Sequence, residues 1–73
     1  MARASELQGT VEEVLPRGLF AVRGDDGRRI VATLSAQARR VTVKVLPGHR
    51  VRLRVSAVDP SRGRILARLE GHP

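Results

Sequence analysis

Apolar and polar positions alternate in five short stretches of this chain. Residues 50–57 give the clearest case, with Val51, Leu53 and Val55 on one side and Arg50, Arg52 and Arg54 on the other. Residues 6–15 set Leu7, Gly9 and Val11 against Gln8, Thr10 and Glu12, and residues 19–23 put Phe20 and Val22 together. Residues 28–34 align Ile30, Ala32 and Leu34, and residues 64–69 set Ile65, Ala67 and Leu69 against Arg64, Leu66 and Arg68. A period of two, rich in β-branched side chains, predicts half-buried antiparallel strands, because successive side chains of a strand point to opposite faces. On that parity Arg50, Arg52 and Arg54 share one strand face, and Arg64 and Arg68 share a face of the last strand.

Turn chemistry separates these stretches. Leu15-Pro16-Arg17-Gly18 predicts a type I turn, with proline second and glycine fourth. Leu46-Pro47-Gly48-His49 predicts type II, with glycine third, where φ is positive. Asp25-Asp26-Gly27 marks a hairpin. Asp59-Pro60-Ser61-Arg62-Gly63 is a further tight reversal, its aspartate able to bond the following backbone. After the third strand, Ser35 is placed to cap one helical turn over Ala36, Gln37, Ala38 and Arg39, a helix so short that it needs tertiary contacts. Val41, Val43 and Val45 alternate with Thr42 and Lys44 and allow another extended piece. Five strands with a helical connection after the third predict an all-β, five-stranded Greek-key barrel of the OB type.

Length supports this reading: 73 residues suffice for one domain, 1–73, with a core over about 6–69 and loose ends at 1–5 and 70–73. So small a domain buries little surface, which argues against a deep catalytic cleft or a bound organic cofactor, so no cofactor is expected. With no cysteine there is neither a disulfide framework nor a thiolate metal site. No apolar run suggests a signal peptide or a membrane span, and a cytoplasmic, monomeric protein is expected.

Charge changes the picture more. The net charge of +7 is unevenly spread, with −2 over residues 1–27 and +9 over residues 28–73. All basic residues but Lys44 are arginine, whose planar fork matches phosphate oxygens and stacks on bases. The asymmetry favours a polyanionic partner.

Catalysis finds little to work with, and no enzyme is expected. Glu12 and Glu13 are strand neighbours and should face opposite ways, while Asp25 and Asp26 read as turn residues. His49, in a turn, and His72, in the tail, read as exposed side chains with no metal-ligand spacing. The candidate binding residues are instead cations: Arg50, Arg52 and Arg54 on one strand, Arg64 and Arg68 on another, Arg39, Arg40 and Lys44 around the helical connection, and Arg62 in the last turn. Six such phosphate contacts would give a log–log salt slope of roughly −4 to −5. Phe20 is the only aromatic residue and alternates into the core. Capture of flexible single strands by stacking is therefore disfavoured, and docking on a prefolded RNA surface fits better.

The ordered set Gly9-Thr10-Val11, Leu15-Pro16, Phe20, Val22, Gly27, Leu34-Ser35, Arg39-Arg40, Val45-Leu46-Pro47-Gly48, Val51, Asp59 and Arg62-Gly63-Arg64-Ile65 resembles bacterial translation initiation factor one, without obvious gaps from about residue 7 to 68. The resemblance implies an OB fold that binds the decoding region of the small ribosomal subunit, in the aminoacyl-tRNA site, together with the other two initiation factors. Its implied contacts are ribosomal RNA and a neighbouring ribosomal protein, with no membrane and no small-molecule substrate. Arg39, Arg40, Lys44, Arg62, Arg64 and Arg68 fall on the family's basic positions. Ala36, Gln37, Thr42, Val58, His49 and Thr33 depart from its usual glycine, lysine, aromatic, tyrosine, acidic and histidine residues, as a divergent paralogue would. Two other readings stand beside it. The pattern from Gly9 and Val11 through Asp59, Gly63, Arg64 and Ile65 also resembles RNA-binding domains of the S1 type, which implies a free RNA-binding or RNA-chaperone module. A barrel that binds a partner protein is the third.

Overall fold

The computed structural model describes residues 5–40 and 44–69. Five strands form a closed barrel: β1 (Ser5–Leu15), β2 (Leu19–Gly24), β3 (Arg29–Leu34), β4 (Arg50–Val55) and β5 (Arg62–Leu69), with α1 (Ala36–Arg40) between β3 and β4. The order around the barrel is β1-β2-β3-β5-β4, and β1 closes it by pairing with β4 as well as β2. Only β3 and β5 run parallel. This is the OB architecture that the alternation and turns predict.

The inward row holds the apolar residues. Val11, Val22, Ile30, Val51, Leu53 and Ile65 have their side chains wholly inside, Phe20 lies among them, and Leu7 and Leu34 pack against the cluster. Each such side chain contributes about 1.5–3 kcal/mol when withdrawn from water. No described polar or charged residue is buried. The β1–β2 pair is unusually close at Gly9, where a Cβ would lie 2.6 Å from the Arg23 carbonyl oxygen.

The connections follow their local chemistry, with one exception. Gly48 has φ 94° and His49 N–H donates to the Leu46 carbonyl at 3.1 Å, the expected type II geometry. Around Asp25-Asp26-Gly27, Gly27 N–H donates to the Gly24 carbonyl and Gly27 has φ 92°, a type I turn closed by a glycine bulge. Asp59 Oδ1 accepts from Ser61 N–H at 3.1 Å, and Arg62 N–H closes on the Asp59 carbonyl. Ser35 Oγ caps α1 by accepting from Ala38 N–H at 3.1 Å, and Ala38 is buried where α1 packs against β3 and β5. The exception is Pro16–Gly18, a single 3-10 turn in which Arg17 sits at φ 66°, ψ 31°. The type I expectation fails because the third position is left-handed.

Two bulges interrupt the simple alternation. In β1 the pairing with β2 shifts between Val11 and Glu13, so Glu12 is the extra residue. In β5, Leu53 of β4 pairs with Ile65 but Arg52 pairs with Ala67, which leaves Leu66 as the extra residue. A bulge lets two successive side chains face the same way and reverses the parity beyond it. Ala67 and Leu69 therefore lie on the outer side with Arg52 and Arg50, and Arg68 lies on the side of Val51. Arg64 and Arg68 do not share a face. Strand ends also differ from expectation: Ser5 pairs with Val55, β4 stops at Val55, and β5 begins at Arg62. Residues 41–43, with the extended piece expected of Val41 and Val43, and the tail residues 1–4 and 70–73, His72 among them, lie outside the described residues.

Candidate nucleic-acid interface

The register decides which cations face solvent unopposed. Along β4, Arg54 lies across from Glu6 of β1, Arg52 from Gln8 and Arg50 from Thr10. Arg54 reaches Glu6 at 3.2 Å and Arg52 reaches the same carboxylate at 4.0 Å. Arg50 forms a two-pronged fork on Asp25, at 2.7 and 2.8 Å, and also donates to Thr10 Oγ1 at 3.1 Å. The arginine face of β4 is thus largely matched by acids from β1 and the β2–β3 turn. Glu12 takes Arg23 at 3.2 Å, and Glu12 and Glu13 both reach Arg29, at 3.9 and 3.8 Å. The alternation that should have separated the two glutamates is cancelled by the bulge at Glu12.

Hydrogen bonding from Arg50, followed by its charge, holds the Asp25 carboxyl below the usual value of 3.8 despite some loss of hydration. A carboxyl depressed in the folded state stabilises it above the unfolded pKa and loses that contribution as pH falls through the lower folded value. The wild type should therefore lose part of its stability below about pH 4, and D25N should show a flatter acid limb when urea midpoints are measured against pH. Asp26 is also lowered, first by the Arg28 backbone N–H and then by its guanidinium. Both aspartates thus serve the hairpin, as expected of turn residues, but Asp25 additionally reaches across to β4.

Other basic residues lack such matching. Arg17, Arg39, Arg40, Lys44, Arg62 and Arg64 form no ion pair with a described carboxylate. Asp59 is engaged by the Ser61 hydroxyl at 2.6 Å, which with the Ser61 N–H and then the charge of nearby Arg62 keeps its carboxyl low. Most of these cations gather about β5. Arg62 and Arg64 belong to it, and Arg54 is the cross-strand neighbour of Arg64. Helix α1, carrying Arg39 and Arg40, packs against β5 and β3. Lys44 is tied to β5 by Arg68, whose Nη1 donates to the Lys44 carbonyl at 2.9 Å.

On the outer side of the β3–β5 seam lies a groove of about 490 Å³. Its walls carry Arg54, Arg62 and Arg64 with the hydroxyl residues Thr33, Ser35 and Ser56, and its apolar lining is Leu19, Val31, Val55 and Leu66. Positive guanidinium forks and hydroxyl donors over apolar ground suit phosphate and sugar contacts. Sequence alone did not single out Thr33, Ser35, Ser56 or Leu66 as lining. Outward parity marked Thr33, and it also set Leu66 on the side of Arg64, but nothing along the chain showed that β3 and β5 would bring them together.

Among the described residues no cluster of histidine or acidic side chains could hold a metal ion, and no helix is long and apolar enough to cross a membrane. Contrary to expectation, His49 is not simply exposed: it is half-buried and its Nδ1 accepts from Leu46 N–H at 3.0 Å, bracing the type II turn. Phe20 is in the core, as predicted.

No family model matches the chain. It is similar to the chloroplastic translation initiation factor IF-1 of Pinus koraiensis, with 45% identity over 62 residues that cover 85% of this chain and 83% of that protein. It matches the chloroplastic IF-1 of Ceratophyllum demersum at 44% over 62 residues, covering 85% and 80%. In three dimensions it resembles the solution structure of translation initiation factor IF-1 from the Wolbachia endosymbiont strain TRS of Brugia malayi, with TM-score 0.76, 33% identity, and 93% and 80% of the two chains covered. It also superimposes on part of YjeQ from Thermotoga maritima, with TM-score 0.74 and 22% identity over 90% of this chain and 23% of that one, a likeness of fold alone.

Proposed function

Because this chain belongs to the translation initiation factor IF-1 family, non-enzymatic factors of protein synthesis, we propose that it binds the small ribosomal subunit at the decoding region, in the aminoacyl-tRNA site. It does so through ribosomal RNA beside a ribosomal protein and alongside the other two initiation factors. The observation that carries this reading is the β3–β5 groove, in which neither Arg62 nor Arg64 forms an ion pair with a described carboxylate. Arg39, Arg40 and Lys44 extend the same positive surface from α1 and the segment after it. Arg54 contributes at the groove edge when Glu6 yields it, whereas Arg50 and Arg52 are the least available members of the candidate set. The protein then works wherever such subunits are, in a bacterial cytoplasm or in a chloroplast, the compartment named for its relatives.

A titration against purified bacterial small subunits at two salt concentrations, with a free RNA oligonucleotide as control, tests this. One protein should bind per subunit, with a log–log salt slope of roughly −3.5 to −4.5 for five phosphate contacts. Equal affinity for the oligonucleotide would instead favour a free RNA-binding module, and retention of neither RNA would favour a protein partner.

A further inference from the structure

We propose that Arg68 is a positioning residue that acts on RNA binding through Lys44, by holding the connection between α1 and β4, and does not itself meet phosphate. This rests on the reading of the β5 surface as the RNA interface. The bulge at Leu66 is the first ground. It sends Arg68 to the side of Val51, away from Arg64 and the groove. The second ground is where the guanidinium goes: Nη1 donates to the backbone carbonyl of Lys44 at 2.9 Å. A charged donor on a carbonyl is among the stronger hydrogen bonds, and here it links residues 24 apart in sequence.

Lys44 is well placed to profit from being held. The next residue, Val45, is anchored in the core. Beyond it, Gly48 N–H and the His49 carbonyl exchange hydrogen bonds with Val11 at 2.8 and 2.9 Å. The segment 45–49 is therefore fixed from one side, and Arg68 supplies the hold at its beginning. The Lys44 side chain itself stays exposed. A lysine whose backbone is fixed loses less ordering entropy when it meets an anion than one on a loose loop.

R68M keeps the aliphatic stem and removes the donor. In the free protein, the backbone order parameter at Lys44, from nitrogen-15 relaxation, should fall from about 0.85 to below about 0.6, while Val45 and Leu46 stay ordered. On small subunits, K44Q should weaken binding about threefold, the share of one phosphate-held cation. R68M should cost a similar factor, and the double variant no more than the larger single loss, because both substitutions remove the same contact. Losses that multiply, to about ninefold, would mean that Arg68 meets RNA independently and would overturn the proposal. So would unchanged order at Lys44. R68Q replaces R68M if the latter shows no cooperative melting. Wild-type protein that ignores the subunits would bring down the interface reading, and the proposal with it, whatever the relaxation data show.

Discussion

R62E/R64E is expected to lose small-subunit binding by a factor of about 100 or more, since each charge-assisted hydrogen bond removed is worth about 1.5–3 kcal/mol. The fold should not suffer. Both side chains are exposed and neither forms an ion pair with a described carboxylate. Arg64 lies directly across from Arg54, and like charges so placed repel. A glutamate at 64 would face an arginine instead, so the melting temperature should hold or rise slightly. Binding and stability would then move in opposite directions, which separates loss of the interface from loss of structure. R23E/R28E makes the same change in net charge on the β2–β3 hairpin, where both arginines already have carboxylate partners. If that control weakens binding as much as R62E/R64E does, the protein responds to overall charge, and the groove has no special part.

Leu53→Ala should have the largest effect on folding. Leu53 is wholly buried and pairs across β4–β5 with Ile65, also wholly buried. Truncating such a leucine costs about 2–5 kcal/mol, transfer and cavity terms together. A domain of this length has only roughly 4–11 kcal/mol in total. The melting temperature should drop by roughly 8–40 °C, at about 4–8 °C per kcal/mol for a domain of this size. Leu46→Ala is the comparison: Leu46 is 46% exposed, and its loss should shift the transition far less. Similar shifts for the two would mean that the barrel interior is not the source of stability.

Strand existence was legible because the apolar face is buried and the period is two. β4 reads as it folds, with Val51, Leu53 and Val55 inside and Arg50, Arg52 and Arg54 outside. The turn at Pro47-Gly48 and the cap at Ser35 were legible because their chemistry is local, within three residues. Two kinds of feature were not. Bulges add a residue without changing composition, so the parity of β5 beyond Ile65 and of β1 beyond Val11 could not be counted along the chain. Ion pairs across the barrel depend on register between distant segments: Glu6 and Arg54 are 48 residues apart, Asp25 and Arg50 are 25 apart. A row of arginines therefore looks the same in sequence whether acids face it or not. That is why Arg50, Arg52 and Arg54 ranked with Arg62 and Arg64 as candidates, though their surroundings differ so much.

The extra residue in β5 divides that strand into two halves: Arg62 and Arg64 before it line the groove, and Arg68 after it bonds the Lys44 carbonyl. Removing one residue there would rejoin the halves. The guanidinium at the far end would keep its place beside Val51, because Ala67 and Arg68 already face Arg52 and Val51 as an uninterrupted ladder requires, and the Lys44 carbonyl would keep its donor.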